Sequence, residues 1–377
     1  MKIKEDVLKE AIAAGKTNKE IASEFNCSER NIQYRRKRLA EKGFSPPHDM
    51  THETAPGFLV KGTSTLYKGG QPVLQWVKTK VDPERMLQMA QEFLGGINDD
   101  IQRAAPVTQK AAGSSRHLNL FPITDYHLGM LAWGEESGDD WDMQIAESLA
   151  VRWLEEAIRC APAAEVAVLA NMGDFLHWDG LAAVTPQSRH VLDADTRYTK
   201  LVRVAIRLIR RMIQMLLETH GKVHVIMAEG NHDEASSVWL REALKVVYEN
   251  EPRITFDDNP DPYYCYEFGN TALFFHHGHK RRAEQVDQVL VSKFREVFGR
   301  TKHAYAHTGH LHHLKALETN LMVVEQHRTL AAKDAYASRG GWLSERSAAV
   351  ITYDAEYGEV RRSTITPAML VDTSYLS

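Results

Sequence analysis

The chain has 377 residues, 43% hydrophobic and 25% charged, with a formal net charge of −4; this is globular composition and more length than one average domain needs, so one large domain with small additions is expected. No run approaches the roughly 18 uninterrupted apolar residues of a membrane span, and the opening MKIKEDVLKE lacks the apolar centre of a signal peptide, so a cytoplasmic protein with no membrane partner is expected. Cys27, Cys160 and Cys265 form no C-x-x-C pair, which argues against a disulfide framework or a thiolate metal site and leaves histidine and carboxylate as the available metal ligands.

Charge is uneven. Residues 1 to 45 hold 11 Lys+Arg against 7 Asp+Glu, a balance of +4 that leaves −8 for the remainder, so positive charge sits where contact with an anionic polymer would use it. Val7, Leu8, Ala11 and Ile12 make the apolar stripe of a first helix, Thr17-Asn18-Lys19-Glu20 is a capping box that opens a second through Phe25, and Ser28 caps a third from Glu29 to about Lys42. The third helix buries Ile32 and Leu39 and exposes Arg30, Gln33, Tyr34 and Lys37, which is the helix-turn-helix pattern with its base- and phosphate-reaching side chains at the start of the last helix. The alternative is a solvated basic helix or a protein-docking face. The domain is placed at residues 1–45, closed by Gly43 and followed by a linker at 46–56 that begins with Pro46-Pro47.

Residues 57–100 carry an alternating stretch around Gly69-Gly70, which predicts a β-hairpin, and then PERMLQMAQEFL, which predicts a short helix; no role attaches to this module. A second linker rich in Ala, Ser, Thr and Gln is placed at 101–116. From residue 117 to 377 short apolar strands alternate with long helical patterns, notably Trp141 to Cys160 and Thr196 to Thr219, which predicts an α/β layered domain with reactive loops at strand ends. Strands around Met322–Glu325 and Ala349–Tyr353 complete the sheet.

Five clusters end the apolar strands in order: Asp125-x-His127, Gly173-Asp174, Gly230-Asn231-His232-Asp233, His277-Gly278-His279 and Gly309-His310-x-His312. Singly, a G-D or G-H pair is turn chemistry. Five in order at strand-to-loop junctions match the way α/β enzymes assemble a site from distant segments. This order resembles the calcineurin-like metallophosphoesterase superfamily over roughly residues 117 to 365. The resemblance implies a four-layer sandwich, two sheets flanked by helices, with a dinuclear centre: Asp125, His127 and His312 on one metal, Asn231, His277 and His310 on the other, and Asp174 bridging. His232, next to the ligand Asn231 and unable to share its metal easily, is the best candidate for the general acid that a leaving alkoxide needs, against the alternative of a supporting histidine. His177, three positions after Asp174, is similar to the histidine of the DNA-repair exonuclease branch, against the alternative of a surface or supporting histidine. His279 is expected to support His277, and His276, His307 and His313 are given no role.

Imidazole and carboxylate ligands suit Mn²⁺, Fe²⁺ or Zn²⁺, with Mn²⁺ favoured by the oxygen ligands. Two such cations would hydrolyse a phosphate ester. Joined to a DNA-binding front domain, this points to a DNA nuclease or phosphodiesterase, in an arrangement similar to those of bacteriophage genomes. The alternatives are a phosphatase or phosphodiesterase of small or cyclic nucleotides, and a DNA-binding regulator with a non-catalytic phosphoesterase domain. The sequence leaves a homodimer and a partner ATPase open. In the loop after Asp174, Trp178 is expected to pack rather than stack a base, and Arg189, His190 and Arg197 lie near the site mouth without a firm role.

Overall fold

Thr17 begins a helix by a reciprocal cap: its hydroxyl accepts from Glu20 N at 3.3 Å and the Glu20 carboxylate accepts from Thr17 N at 2.7 Å. That helix is α2 (Asn18–Glu24), set between α1 (Glu5–Ala13) and α3 (Glu29–Glu41), which Ser28 caps through Asn31 N at 3.3 Å. Leu8, Ile12, Ile21, Ile32 and Leu39 close a small core; each such side chain contributes about 1.5–3 kcal/mol when withdrawn from water. Val7 stays 40% exposed, off the stripe the sequence suggested. It lies one position before Leu8 on the helix and so turns away from the core that Leu8, Ala11 and Ile12 share. Arg30, Gln33, Tyr34 and Lys37 are exposed, while Arg35 and Arg36 turn inward to donate to the carbonyls of Ile3 and Lys16.

The computed structural model describes residues 3–50, 58–68, 71–81, 103–109, 113–186, 191–341 and 343–370, and the chain divides into two units, Met1–Ile101 and Gln102–Ser377. In the first, β1 (Phe58–Lys68) pairs antiparallel with β2 (Gln71–Val81), with Leu66 opposite Leu74. The expected turn at Gly69-Gly70, the helix at 83–94 and residues 51–56 of the linker lie outside the described residues.

The second unit is built from β3 (Ser114–Ile123), α4 (Gly134–Ser137), α5 (Met143–Cys160), β4 (Ala164–Asn171), α6 (Tyr198–Thr219), β5 (Lys222–Met227), α7 (Glu234–Val247), β6 (Ile254–Phe256), β7 (Tyr264–Phe268), β8 (Thr271–Phe275), α8 (Ala283–Lys293), α9 (Arg295–Arg300), β9 (His303–Thr308), β10 (Lys315–Glu318), β11 (Val323–Gln326), α10 (Ala335–Arg339), β12 (Ala348–Asp354) and β13 (Gly358–Ile365). One sheet has the order β13-β12-β3-β4-β5-β6 and the other β10-β11-β9-β8-β7. Alternation along β8 sets the layers. Leu273 and Phe275 meet Leu120, Val168 and Ile351 of the larger sheet, whereas Ala272 and Phe274 face Val286 and Leu290 of α8. Helices α5, α6 and α7 pack on the larger sheet, so the unit is a mixed α/β sandwich of two sheets flanked by helices. Residues 103–109 run along it, with Ala104 N donating to Val247 O at 3.0 Å and Val107 N to Glu251 at 3.3 Å. Among the described residues no helix is long and apolar enough to cross a membrane.

Candidate metal centre

Strands β3, β4 and β5 run parallel as neighbours, and so do β8 and β9 in the other sheet. Parallel neighbours end on the same side, so the five polar loops emerge together. The backbone there is unusual: among the described residues seven non-glycine positions have positive φ, and five of them are Asp125 (51°), His127 (46°), Asp174 (52°), His310 (75°) and His312 (57°). Left-handed backbone costs an ordinary residue about 1–2 kcal/mol, and such strain concentrates where a site over-determines the geometry. Two glycines permit the close approach. A Cβ on Gly230 would lie 2.0 Å from Asp174 Oδ1, and one on Gly309 would lie 1.8 Å from Thr124 Oγ1.

Two groups of side chains converge, Asp125 with His127 and His312, and Asp174 with His277 and His310. Asp125 Oδ1 is 3.2 Å from His312 Nε2 and 4.0 Å from His277 Nε2, and Asp174 Oδ2 is 3.2 Å from His277 Nε2. Asn231 Oδ1 is 3.2 Å from the same nitrogen, and His127 Nε2 is 3.4 Å from His312 Nε2. Asp125, His127, Asp174 and His277 are buried, whereas Asn231, His310 and His312 are partly exposed, which leaves one side open to a ligand.

Hydrogen bonds aim these groups. His277 Nδ1 donates to Met172 O at 2.9 Å, so Nε2 is the atom turned to the carboxylates. His310 N donates to Asp125 Oδ2 and His232 N to Asp174 Oδ1, both at 2.8 Å, and Thr329 holds the Asp125 carbonyl at 2.6 Å. Asp233 ties the loops together, accepting from the backbone N–H groups of Asp174, Phe175, Leu176 and Gly230 at 2.8–3.1 Å.

Burial alone would push the Asp125 and Asp174 carboxyls up, but the facing imidazoles outweigh it, His312 and His277 for Asp125 and His277 and His232 for Asp174, and hold both well below the usual carboxylate range. Reciprocally, burial opposes a charged His277, yet Asp174 and Asp125 raise it to about 9. His127 is kept neutral by burial and by His232 and His177. Two buried carboxylates thus collect positive charge from their surroundings. Asp125 Oδ1 is buried and faces His312 Nε2 at 3.2 Å and His277 Nε2 at 4.0 Å without an aligned hydrogen bond from either, a costly state for a carboxylate oxygen. An oxygen- and imidazole-rich set with an unsatisfied carboxylate oxygen fits divalent cations.

His177 is buried, not on the surface: its Nδ1 lies 3.3 Å from His127 Nδ1 and its carbonyl accepts from His232 Nδ1 at 2.8 Å. His232 therefore keeps Nε2 free, with its ring 4.8 Å from that of His127. Among the described residues neither ring nitrogen of His279 has a hydrogen-bond partner; its ring packs 5.2 Å from that of His277, whose own hydrogen bond is to Met172. His276 accepts from Gly278 N and His313 donates to Leu311 O. Trp178 is 1% exposed and packs on Gly129 and Tyr198; Arg189 and His190 lie outside the described residues. The sequence reading gave no role to Asp233, although it stands in the third cluster, or to Met172 and Thr329, whose contributions come through backbone contacts that leave no residue pattern.

Residues 5–42 match the model of the family described as bacterial regulatory proteins, luxR family. No curated protein matches the chain. Among solved structures, a conserved uncharacterized protein from Streptococcus pneumoniae, described as a predicted phosphoesterase, is 14% identical, covering 68% of this chain and 92% of its own at a TM-score of 0.31. An archaeal phosphodiesterase is 14% identical, covering 66% and 99% at 0.31, and a dimetal phosphatase from Danio rerio is 9% identical, covering 66% and 98% at 0.34. The chain is similar at its front, over residues 5–42, to luxR-family regulators.

Proposed function

We propose that the second unit is a metal-dependent phosphoesterase that hydrolyses phosphodiester bonds in DNA. The observation that carries this reading is the convergence of five strand-end loops on two His–carboxylate groups, with Asp125 Oδ1 facing imidazoles but receiving no aligned hydrogen bond. Asp125, His127 and His312 would hold one cation and Asn231, His277 and His310 the other, with Asp174 between them. Mn²⁺ is the favoured ion for this ligand set, with Fe²⁺ or Zn²⁺ as alternatives. A bound pair supplies a water of lowered pKa and neutralises charge on the phosphoryl oxygens. The chain's own residues do the rest. His232, pinned at Nδ1 by the His177 carbonyl, presents Nε2 as the proton donor for the leaving oxygen. His177, packed against His127 and His232, fixes both rings and is buried by them.

The helix-turn-helix at the front supports DNA as the polymer, with Arg30, Gln33, Tyr34 and Lys37 as its contact residues, and it favours an intracellular setting. A substrate panel tests the proposal: linear duplex DNA, single-stranded DNA, bis-p-nitrophenyl phosphate and the mono-ester, each with Mn²⁺ and with a chelator. Mn²⁺-dependent release of nucleotides and hydrolysis of the diester are expected. Turnover of the mono-ester alone would make the protein a phosphatase, and inertness to all four would leave a DNA-binding regulator.

A further inference from the structure

Helix α6 holds Lys200, Arg203, Arg207, Arg210 and Arg211 against a single acid, Glu218, within a second unit whose surroundings carry the chain's negative balance. Its apolar residues, among them Leu201, Leu208 and Met212, are buried in the core, and Lys200, Arg203, Arg207 and Arg211 form an exposed row on the opposite face. Successive members are three or four residues apart, so the row rises by about 5 Å per step and about 16 Å in all. Arg207 pairs with Glu147 at 2.6–2.7 Å, and the Arg210 backbone carbonyl accepts from Tyr248 OH at 3.2 Å. Among the described residues no side chain pairs with Lys200, Arg203 or Arg211. The row borders an open groove of about 830 Å³ whose other wall is the segment 104–108.

The start of this helix is fixed beside the metal centre. Asp195 N donates to Gly129 O and Leu131 N to Asp193 O, both at 2.9 Å, which joins the segment leading into α6 to the loop that follows His127. Tyr198 in its first turn lies 2.6 Å from Ser236, three residues beyond Asp233. Arg197 and Lys200, at the start of the helix, are exposed.

We propose that this row is a phosphate-backbone track for a single strand of DNA whose scissile diester lies in the metal centre. The inference rests on the phosphodiesterase reading for its choice of ligand. Three of the four exposed cations are arginine, whose planar fork grips phosphate oxygens in pairs. No apolar stripe accompanies them on the exposed face, as a helix lying on a lipid surface would need. Exposed cations at one-turn spacing, three of the four without a pairing partner among the described residues, suit a polymer of regularly spaced negative charges.

The test uses the full-length chain carrying Arg30→Gln and Lys37→Gln, which removes the expected contribution of the front helix, in the presence of chelator. Affinity for a labelled oligothymidine is measured across a salt series with and without Arg203→Gln/Arg211→Gln. The double change is expected to weaken binding several-fold and to reduce the slope of log Kd against log salt by about 1.4, the loss of two phosphate contacts to a single strand. With Mn²⁺ it should raise KM for the oligonucleotide and leave kcat/KM for bis-p-nitrophenyl phosphate unchanged. An unchanged slope overturns the track, and so does an equal loss on the small diester. Weakened retention on phosphatidylserine vesicles with unchanged oligothymidine binding also overturns it, in favour of a lipid surface. Failure of the phosphodiesterase reading shows separately, as inertness of the unaltered chain toward both substrates, while the binding slope in chelator still decides the track.

Discussion

Two buried clusters of histidine and carboxylate lie in the second unit, and their hydrogen bonding separates them. In one, Tyr353 OH donates to His307 Nε2 at 3.1 Å, His307 Nδ1 lies 2.9 Å from His327 Nε2, His327 Nδ1 lies 3.5 Å from Glu325, and Arg362 grips both Glu325 oxygens at 2.6 and 2.7 Å. Hydrogen bonds occupy both nitrogens of His307 and Nε2 of His327, Nδ1 of His327 faces Glu325, and the guanidinium balances the charge. The network also links β9 and β11 of one sheet to β12 and β13 of the other. In the second cluster, carboxylates face imidazoles across 3.2 Å and Asp125 Oδ1 receives no aligned hydrogen bond from the His312 ring beside it. Both are groups of residues that could hold a metal. The difference teaches that residue type nominates a metal site and unsatisfied valence decides it.

The comparison breaks most visibly in the convergent cluster. Asp174→Ala should empty the centre of metal and abolish diester hydrolysis, whereas His232→Ala should retain both ions and lower turnover by about 10²–10⁴-fold; elemental analysis beside kinetics separates the two, and normal metal content in the first variant would remove Asp174 from the bridge. Next in size is Arg362→Ala. It leaves the buried Glu325 charge without its partner and should cost about 3 kcal/mol of stability, seen as a lower denaturant midpoint with metal content untouched. Metal lost together with stability would mean that the network itself is a ligand set.

A pH series sharpens the contrast further. Burial first, then His327, depresses His307 to about 3 in the folded protein, below its ordinary 6.5. The folded state therefore binds fewer protons than the unfolded chain between those values, so the contribution of a neutral His307 is complete above about 6.5 and is lost as pH falls toward 3. Denaturation midpoints should drop with acid over that window, and His307→Gln should flatten the drop; an unaltered profile would show that the ring is not held neutral. The smallest effect is expected from Tyr353→Phe, which removes one terminal hydrogen bond for about 1 kcal/mol and should leave both metal content and turnover as they were.

Much of the convergent cluster was legible in the chain because each of its loops closes a short apolar strand, so order and position along the sequence carry the geometry. Asp125, Asp174, His277 and His310 belong to that class. The network around Glu325 was not legible, since its members are scattered over β9, β11, β12 and β13 and meet only when the sheets stack; His307 accordingly looked like an idle histidine. Asp233 was visible in its cluster but not its task, which depends on four backbone N–H groups brought to it by β4 and β5. The helix-turn-helix was readable down to the caps at Thr17 and Ser28, where local hydrogen bonds decide the structure, while Val7 shows that a stripe judged from neighbours can be off by one position.

The most direct test of the central claim is the number of Mn²⁺ ions retained per chain after loading and dialysis, measured on the unaltered protein and on His327→Gln. Two ions in each are predicted, because the satisfied network has no vacancy to fill. None in the unaltered protein, or a count that falls when His327 is changed, would contradict the account.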